Sequence, residues 1–223
     1  MLNNIMTEGE CSKLRSLIHH ANNIVLCCHV SPDGDAIGSV LGMAEVLKCM
    51  GKEPVMVVPD QFPDYLQWLP NTEKIVRYDK RSDYVDMVLK IADLVICLDF
   101  NALSRTDDME AALEACTAPR VLIDHHLNPS IACQVCVSHP NMSSASELVF
   151  RVAWQLGLFE QLGRHFATAV YCGMMTDTGG FTFNSNSPET SDIISQVLTK
   201  HNNKDQINRN VYHHYSESRL RLV

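Results

Sequence analysis

Four short segments of the 223-residue chain concentrate side chains able to bind divalent cations and move protons. The first reads His29-Val-Ser-Pro-Asp33-Gly-Asp35-Ala-Ile-Gly38-Ser39. The second contributes Asp99, the third is Asp124-His125-His126, and the fourth is Asp177-Thr-Gly-Gly-Phe181. Mixed imidazole and carboxylate donors suit Mn²⁺, Co²⁺, Fe²⁺, Zn²⁺ or Mg²⁺ rather than a soft, all-thiolate site. The donors suffice for two cations sharing one carboxylate, and two cations about 3.5–4 Å apart are the usual clamp for displacement at a phosphoester. Gly34 lets the chain turn sharply and aim Asp33 and Asp35 at one region. Gly38 and Ser39 are expected at a helix N-terminus, whose free N–H groups favour anions.

Taken singly, each segment is weak. An Asp after a strand is ordinarily a helix cap or a turn former. Adjacent histidines occur three times, at His19-His20, His125-His126 and His213-His214, and only the middle pair follows a strand and an Asp. The conjunction, in order along one chain, carries the argument.

The elements that must position these residues alternate. Apolar runs predict strands at 24–28, 54–58, 74–76, 94–98 and 120–123, and Cys133 and Cys136 fall in a further strand, where a spacing of three points them to opposite faces. Helical spacing covers 10–22, 36–50, 82–91 and 106–117, and residues 62–69 form a short irregular or helical piece. Such alternation predicts an α/β fold, an open and mainly parallel sheet with helices on both faces. Ligands of such sheets bind outside the carboxyl ends of the strands, where the first three polar segments fall. From about 143 the pattern becomes helical: Ser143 or Ser144 with Glu147 marks a capped helix running to Leu156, followed by helices at 163–176 and 188–200. Residues 1–200 read as one catalytic domain and 201–223 as a helical linker or tail, more basic than the rest.

Composition bounds the function. With 46% apolar and 20% charged residues the chain is an ordinary globular one. Its net charge of −8 argues against an electrostatic grip on duplex nucleic acid and fits cation ligands. No apolar run is long enough for a membrane span, and the N-terminus lacks the basic start and apolar core of a secretory signal, so no membrane partner is expected. Nine scattered cysteines, several in apolar runs, read as reduced thiols of a cytoplasmic protein. Cys133 and Cys136 have no second pair to complete a zinc tetrahedron.

On these residues the sequence resembles the DHH phosphoesterase superfamily, whose namesake triplet is Asp124-His125-His126. The likeness runs from about residue 10 to 200. Within the superfamily, the Gly34/Ala36 spelling and Asp177-Thr-Gly-x-Phe181 look most like the bifunctional oligoribonucleases and pAp phosphatases. The resemblance implies two divalent cations, Mn²⁺ foremost with Mg²⁺ or Co²⁺ as alternatives. It implies His29 and Asp33 on the first, Asp35, His125 and Asp177 on the second, and Asp99 bridging. His126 is implied to face the scissile phosphate and Asp124 to orient a histidine. Arg105 is placed to reach a phosphate or to serve as a surface cation. The implied substrates are short RNA oligonucleotides or adenosine 3′,5′-bisphosphate, and a homodimer is a further expectation.

Members of this superfamily normally carry a C-terminal domain with a Gly-Gly-x-His-type motif, and no such motif occurs here. The chain is therefore expected to be either the catalytic part of a longer protein or a naturally short one, without a substrate-gripping partner domain, and to discriminate little between a dinucleotide and a small activated ester. Two rival readings are a pyrophosphatase or exopolyphosphatase using the same centre, and a catalytically silent nucleotide-binding module. The complete ligand set opposes the second.

Overall fold

A computed structural model describes residues 2–200 and 203–213. Six parallel strands form one sheet in the order β3-β2-β1-β4-β5-β6. They are β1 (Ile24–Cys27), β2 (Val55–Val58), β3 (Val76–Arg77), β4 (Leu94–Leu98), β5 (Arg120–Asp124) and β6 (Val135–Ser138). The register is fixed by in-line pairs such as Leu26 with Ile96 and Ile96 with Val121. β1 and β4 are neighbours, so the direction of winding reverses between them, and that switch point opens a crevice at their carboxyl ends.

The strands are short and almost wholly apolar because both faces are covered. Alternation sends Leu26, Ile96, Val121 and Ile123 into one layer, packed under α1 (Glu8–His20), α2 (Gly34–Cys49), α5 (Ala145–Gln155) and α6 (Arg164–Asp177). Val25, Cys27, Val95, Cys97 and Leu122 face the other layer, closed by α3 (Tyr78–Lys90) and α4 (Glu110–Ala115). The helical segment expected after 143 is α5, α6, α7 (Pro188–Thr199) and α8 (Lys204–Asn208), with a final π-type turn at Arg209–His213. The rest of the expected tail, 214–223, lies outside the described residues.

Local differences from the sequence reading have identifiable causes. α1 begins at Glu8, earlier than expected, because Thr7 and Glu10 form a capping box. The expected helix at 106–117 is a 3₁₀ stretch, Leu103–Met109, broken at Asp107 (φ 49°) and followed by the short α4. α3 likewise holds a break at Arg81. β3 is shifted to Val76–Arg77 because Thr72–Lys74 winds as a 3₁₀ turn. Cys133 precedes β6, so strand alternation does not separate it from Cys136; the two thiols meet on the α3/α4 side.

Candidate metal centre

The segment after β1 turns at once into α2. Asp33 caps that helix, its Oδ1 accepting from the backbone N–H of Asp35 (2.9 Å) and of Ala36 (3.0 Å). Asp33 is thereby fixed with one oxygen spent on the cap, as a ligand held by its own helix must be. Capping moves the helix start to Gly34, so Gly38 and Ser39 lie in its second turn rather than at a free N-terminus. Gly38 has a packing role instead. A Cβ there would come within 2.6 Å of the Ala169 carbonyl of α6, so its absence lets α2 and α6 pass close together. That crossing brings Asp177, the last residue of α6, towards Asp35, near the start of α2.

Asp35 is 1% exposed. Its Oδ2 accepts from the Ala145 N–H at 2.6 Å and its Oδ1 from the Ser146 N–H at 2.8 Å, both at the N-terminus of α5. Ser144 caps the same helix by accepting from the Glu147 N–H. The α5 N-terminus thus solvates a buried carboxylate through otherwise unpaired donors.

Asp99 follows β4 with φ 63°, a backbone conformation rare for a residue with a side chain. It is 2% exposed and bridges two imidazoles. Its Oδ2 is 3.5 Å from His29 Nε2 and its Oδ1 is 3.4 Å from His125 Nε2. Each histidine is oriented from behind. His29 Nδ1 lies 2.7 Å from the Val30 carbonyl and His125 Nδ1 lies 3.4 Å from the Met142 carbonyl, leaving both Nε2 atoms aimed at carboxylates. His125 Nε2 is also 3.8 Å from Asp35 and 3.7 Å from Asp177. His126 Nδ1 sits 2.8 Å from Oδ1 of the fully buried Asp124.

Ligand atoms gather into three overlapping sets, His29/Asp33/Asp99, Asp35/His125/Asp177 and Asp99/His125/His126. All the metal-ligating candidates of the sequence, with Asp124 and His126, are brought to the crevice between the ends of β1, β4 and β5. Arg105 is exposed, and its carbonyl accepts from the Val30 N–H at 2.7 Å, which tethers it beside His29. No ion pair of its guanidinium occurs among the described residues.

The electrostatics are those of a cation site. For Asp35, burial and the charge of Asp99 push its carboxyl well above the usual range, against the pull of His125. Asp177 is raised by burial and by Asp99 and Asp33, against His125, and it stands at the negative end of α6. For His125, burial disfavours the cation, but its ion pair with Asp99 and the Asp35 charge push it up to about 10. His29 is raised on balance too, with Asp99 outweighing burial. Asp99 is held low because the two histidines outweigh its burial. Oδ1 of Asp99 and Oδ2 of Asp124 are buried without a hydrogen-bond partner among the described residues. Crowded carboxylates, unpaired buried oxygens and imidazoles pinned at Nδ1 fit divalent cations.

Sequence reasoning missed the backbone groups that hold these ligands: the Val30 and Met142 carbonyls and the Ala145 and Ser146 N–H groups. Only the Ser144/Glu147 cap was legible in advance. It also missed the polar cavity beside His125.

Fold and site together define an α/β domain with an imidazole–carboxylate cation centre at the switch point of its sheet. The chain belongs to the DHH family: the family's N-terminal domain matches residues 23–174. It is 32% identical over 178 residues to the bifunctional oligoribonuclease and PAP phosphatase NrnA of Thermus thermophilus, covering 78% of this chain and 49% of that protein. The cyclic-di-AMP phosphodiesterase PdeA of Listeria monocytogenes is 27% identical over 192 residues, covering 82% of this chain and 29% of that one. Among solved structures, an exopolyphosphatase-related protein of Bacteroides fragilis superposes with a TM-score of 0.95 at 45% identity, covering 99% of this chain and 65% of that one. Manganese-bound exonuclease RecJ shares the fold, with a TM-score of 0.51 at 14% identity over 89% of this chain and 49% of that one. The chain spans about half the length of the NrnA proteins it matches. Among the described residues no helix is long and apolar enough to cross a membrane.

Proposed function

We propose that the chain is the catalytic portion of a divalent-metal-dependent phosphoesterase acting on short oligoribonucleotides or on adenosine 3′,5′-bisphosphate. The observation that carries the reading is the division of Asp99 between His29 and His125, each histidine pinned at Nδ1. His29 and Asp33 would hold one cation, Asp35, His125 and Asp177 another, and Asp99 both; Mn²⁺ fits the donor types, as do Mg²⁺ and Co²⁺. Cations in such a site act as Lewis acids towards phosphoryl oxygens and lower the pKa of bound water. The protein's own groups do the rest. Asp124 takes the Nδ1–H of His126 and so orients the ring, whose other edge would face a phosphoryl oxygen. Arg105, tethered beside His29, supplies a mobile cation for a further phosphate oxygen. The nine free thiols accord with a cytoplasmic enzyme.

The names of the NrnA relatives favour the nucleotide substrates. The exopolyphosphatase-related structure favours a second reading, hydrolysis of pyrophosphate or polyphosphate. A panel of dinucleotide, adenosine 3′,5′-bisphosphate, pyrophosphate and an activated diester, each with Mn²⁺, Mg²⁺ and Co²⁺, separates them. The nucleotide reading expects the first two to be the better substrates. Faster release from pyrophosphate selects the second reading, and no release with any cation refutes both.

A further inference from the structure

His29 and Asp33 must present an imidazole and a carboxylate to one cation across a short span, Val30, Ser31 and Pro32. The two ends of the span are fixed independently. His29 stands just beyond β1 with its Nδ1 2.7 Å from the Val30 carbonyl, and Asp33 is held by its bonds to the Asp35 and Ala36 N–H groups. The separation of the two ligands is therefore set by the path of the chain between them.

That path is strained at its centre. Ser31 has φ 53°, in the left-handed region that favours glycine, and the ring of Pro32 restricts it further. A residue stays in such a conformation only where its surroundings over-determine it. The backbone donors of the span show what does so. Val30 donates its N–H to the Arg105 carbonyl at 2.7 Å, and Pro32 has no N–H to donate. Ser31 donates its N–H to Oδ1 of Asp60 at 2.6 Å, and its hydroxyl lies 3.4 Å from Oδ2 of the same carboxylate. Of the two donors, only that of Ser31 is held by a side chain.

Asp60 is half-buried and follows β2, the strand beside β1. Its base is anchored, because the Pro59 carbonyl accepts from the Asp79 N–H of α3 at 3.0 Å. Past Asp60 the two loops part: Gln61, Phe62 and Pro63 share a cavity of about 360 Å³ with Ser31, Pro32 and Asp33. Among the described residues the Asp60 carboxylate makes no ion pair and enters none of the three ligand sets. A hydrogen bond to an ionised carboxylate is about twice as strong as a neutral one, which suits it to holding a strained turn. We propose that Asp60 is a positioning residue of the centre: by holding Ser31 it sets the separation of His29 and Asp33, and so the affinity of the first cation, without touching that cation. This rests on the metal-centre reading above.

Mn²⁺ binding to the 223-residue chain tests it, followed by calorimetric titration and by electron paramagnetic resonance. In Asp60→Ala one of the two cations should bind about 10–100-fold more weakly, the usual loss when a group supporting a ligand is removed. The resonance of a coupled pair should then give way to that of an isolated ion. In Asp60→Asn the amide oxygen still accepts from the Ser31 N–H, so most of the affinity should return. Asp33→Ala removes a ligand of the same set and should mask the effect of Asp60→Ala, whereas Asp35→Ala should leave it intact. The proposal is overturned if both cations weaken equally, if neither changes, or if Asp60→Asn binds as weakly as Asp60→Ala. Cooperative melting in chelator checks that each variant folds. Asp60→Asn keeps the hydrogen bond, so loss of one cation from it overturns the proposal even where Asp60→Ala does not fold. A wild-type chain that binds no Mn²⁺ would refute the metal-centre reading and the role of Asp60 with it, while two cations bound equally well by wild type and Asp60→Ala would refute only the role of Asp60.

Discussion

Asp99 and His125 meet across the ends of two adjacent strands, Oδ1 to Nε2 at 3.4 Å, while the second oxygen of Asp99 is turned to His29. Among the described residues no other carboxylate is shared in this way between the His29/Asp33 set and the Asp35/His125/Asp177 set. Asp99→Ala is therefore expected to cost more than Asp33→Ala or Asp35→Ala, each of which sits in one set only. Hydrolysis should drop to background and bound Mn²⁺, measured by elemental analysis, should fall by more than one per chain. A variant retaining its full metal content would end the bridging role.

The same cluster sets a pH dependence for the cation-free protein. His125 is raised to about 10 and His29 is also raised, so the stability they contribute is complete below the unfolded value of about 6.5 and is lost as pH climbs towards the folded one. Asp35, raised by burial, is ionised in the unfolded chain at neutral pH and so penalises folding there as well. Asp99, held low, acts in acid and leaves this window untouched. In chelator the melting temperature should fall between pH 6.5 and 9.5. Mn²⁺ should raise it, and by more at the alkaline end, because the cation displaces protons from its ligands. A melting temperature indifferent to millimolar Mn²⁺ at both ends would contradict a preformed site.

Much of this was readable in the chain because the strands are unbroken apolar runs, as sheets covered on both faces require, and the polar residues following them had to share one edge. That logic located His29, Asp99 and the Asp124-His125-His126 triplet without tertiary information. It failed where a local competitor decided the outcome. Asp33 doubles as a helix cap, which shifted the start of α2 and moved Gly38 from an anion-binding role to a packing one. Asp107 at positive φ broke a helix that spacing alone predicts. The cavity beside His125 was illegible for a different reason: its amides come from residues 141, 184 and 186, distant segments that only the packing of α7 against α5 and α6 brings together.

Gly38 offers a test of that packing. A methyl group there meets the Ala169 carbonyl at 2.6 Å, and a backbone atom cannot swing aside as a flexible side chain can. Gly38→Ala should destabilise by about 1–3 kcal/mol, the usual cost of overpacking. Because α2 and α6 carry Asp35 and Asp177, it should also weaken Mn²⁺ binding at the second set, read by calorimetric titration. Unchanged stability and affinity would show that the helices separate freely and that their close crossing does not position the ligands.

Asp124 belongs to none of the three ligand sets, yet it is fully buried and its Oδ1 holds His126 Nδ1 at 2.8 Å. It acts through His126, which stands outside the His29/Asp33 and Asp35/His125/Asp177 sets. Asp124→Asn keeps the size of the side chain, but its amide can donate to Nδ1 and reverse the tautomer. The expected result is a fall in kcat of about 10–100-fold, the range usual when the partner of an active-site histidine is lost, with Mn²⁺ content and melting temperature close to wild type. A variant that loses metal in proportion to activity would mean that Asp124 serves the cations, and a variant with unaltered kcat would leave His126 without a role at the phosphate.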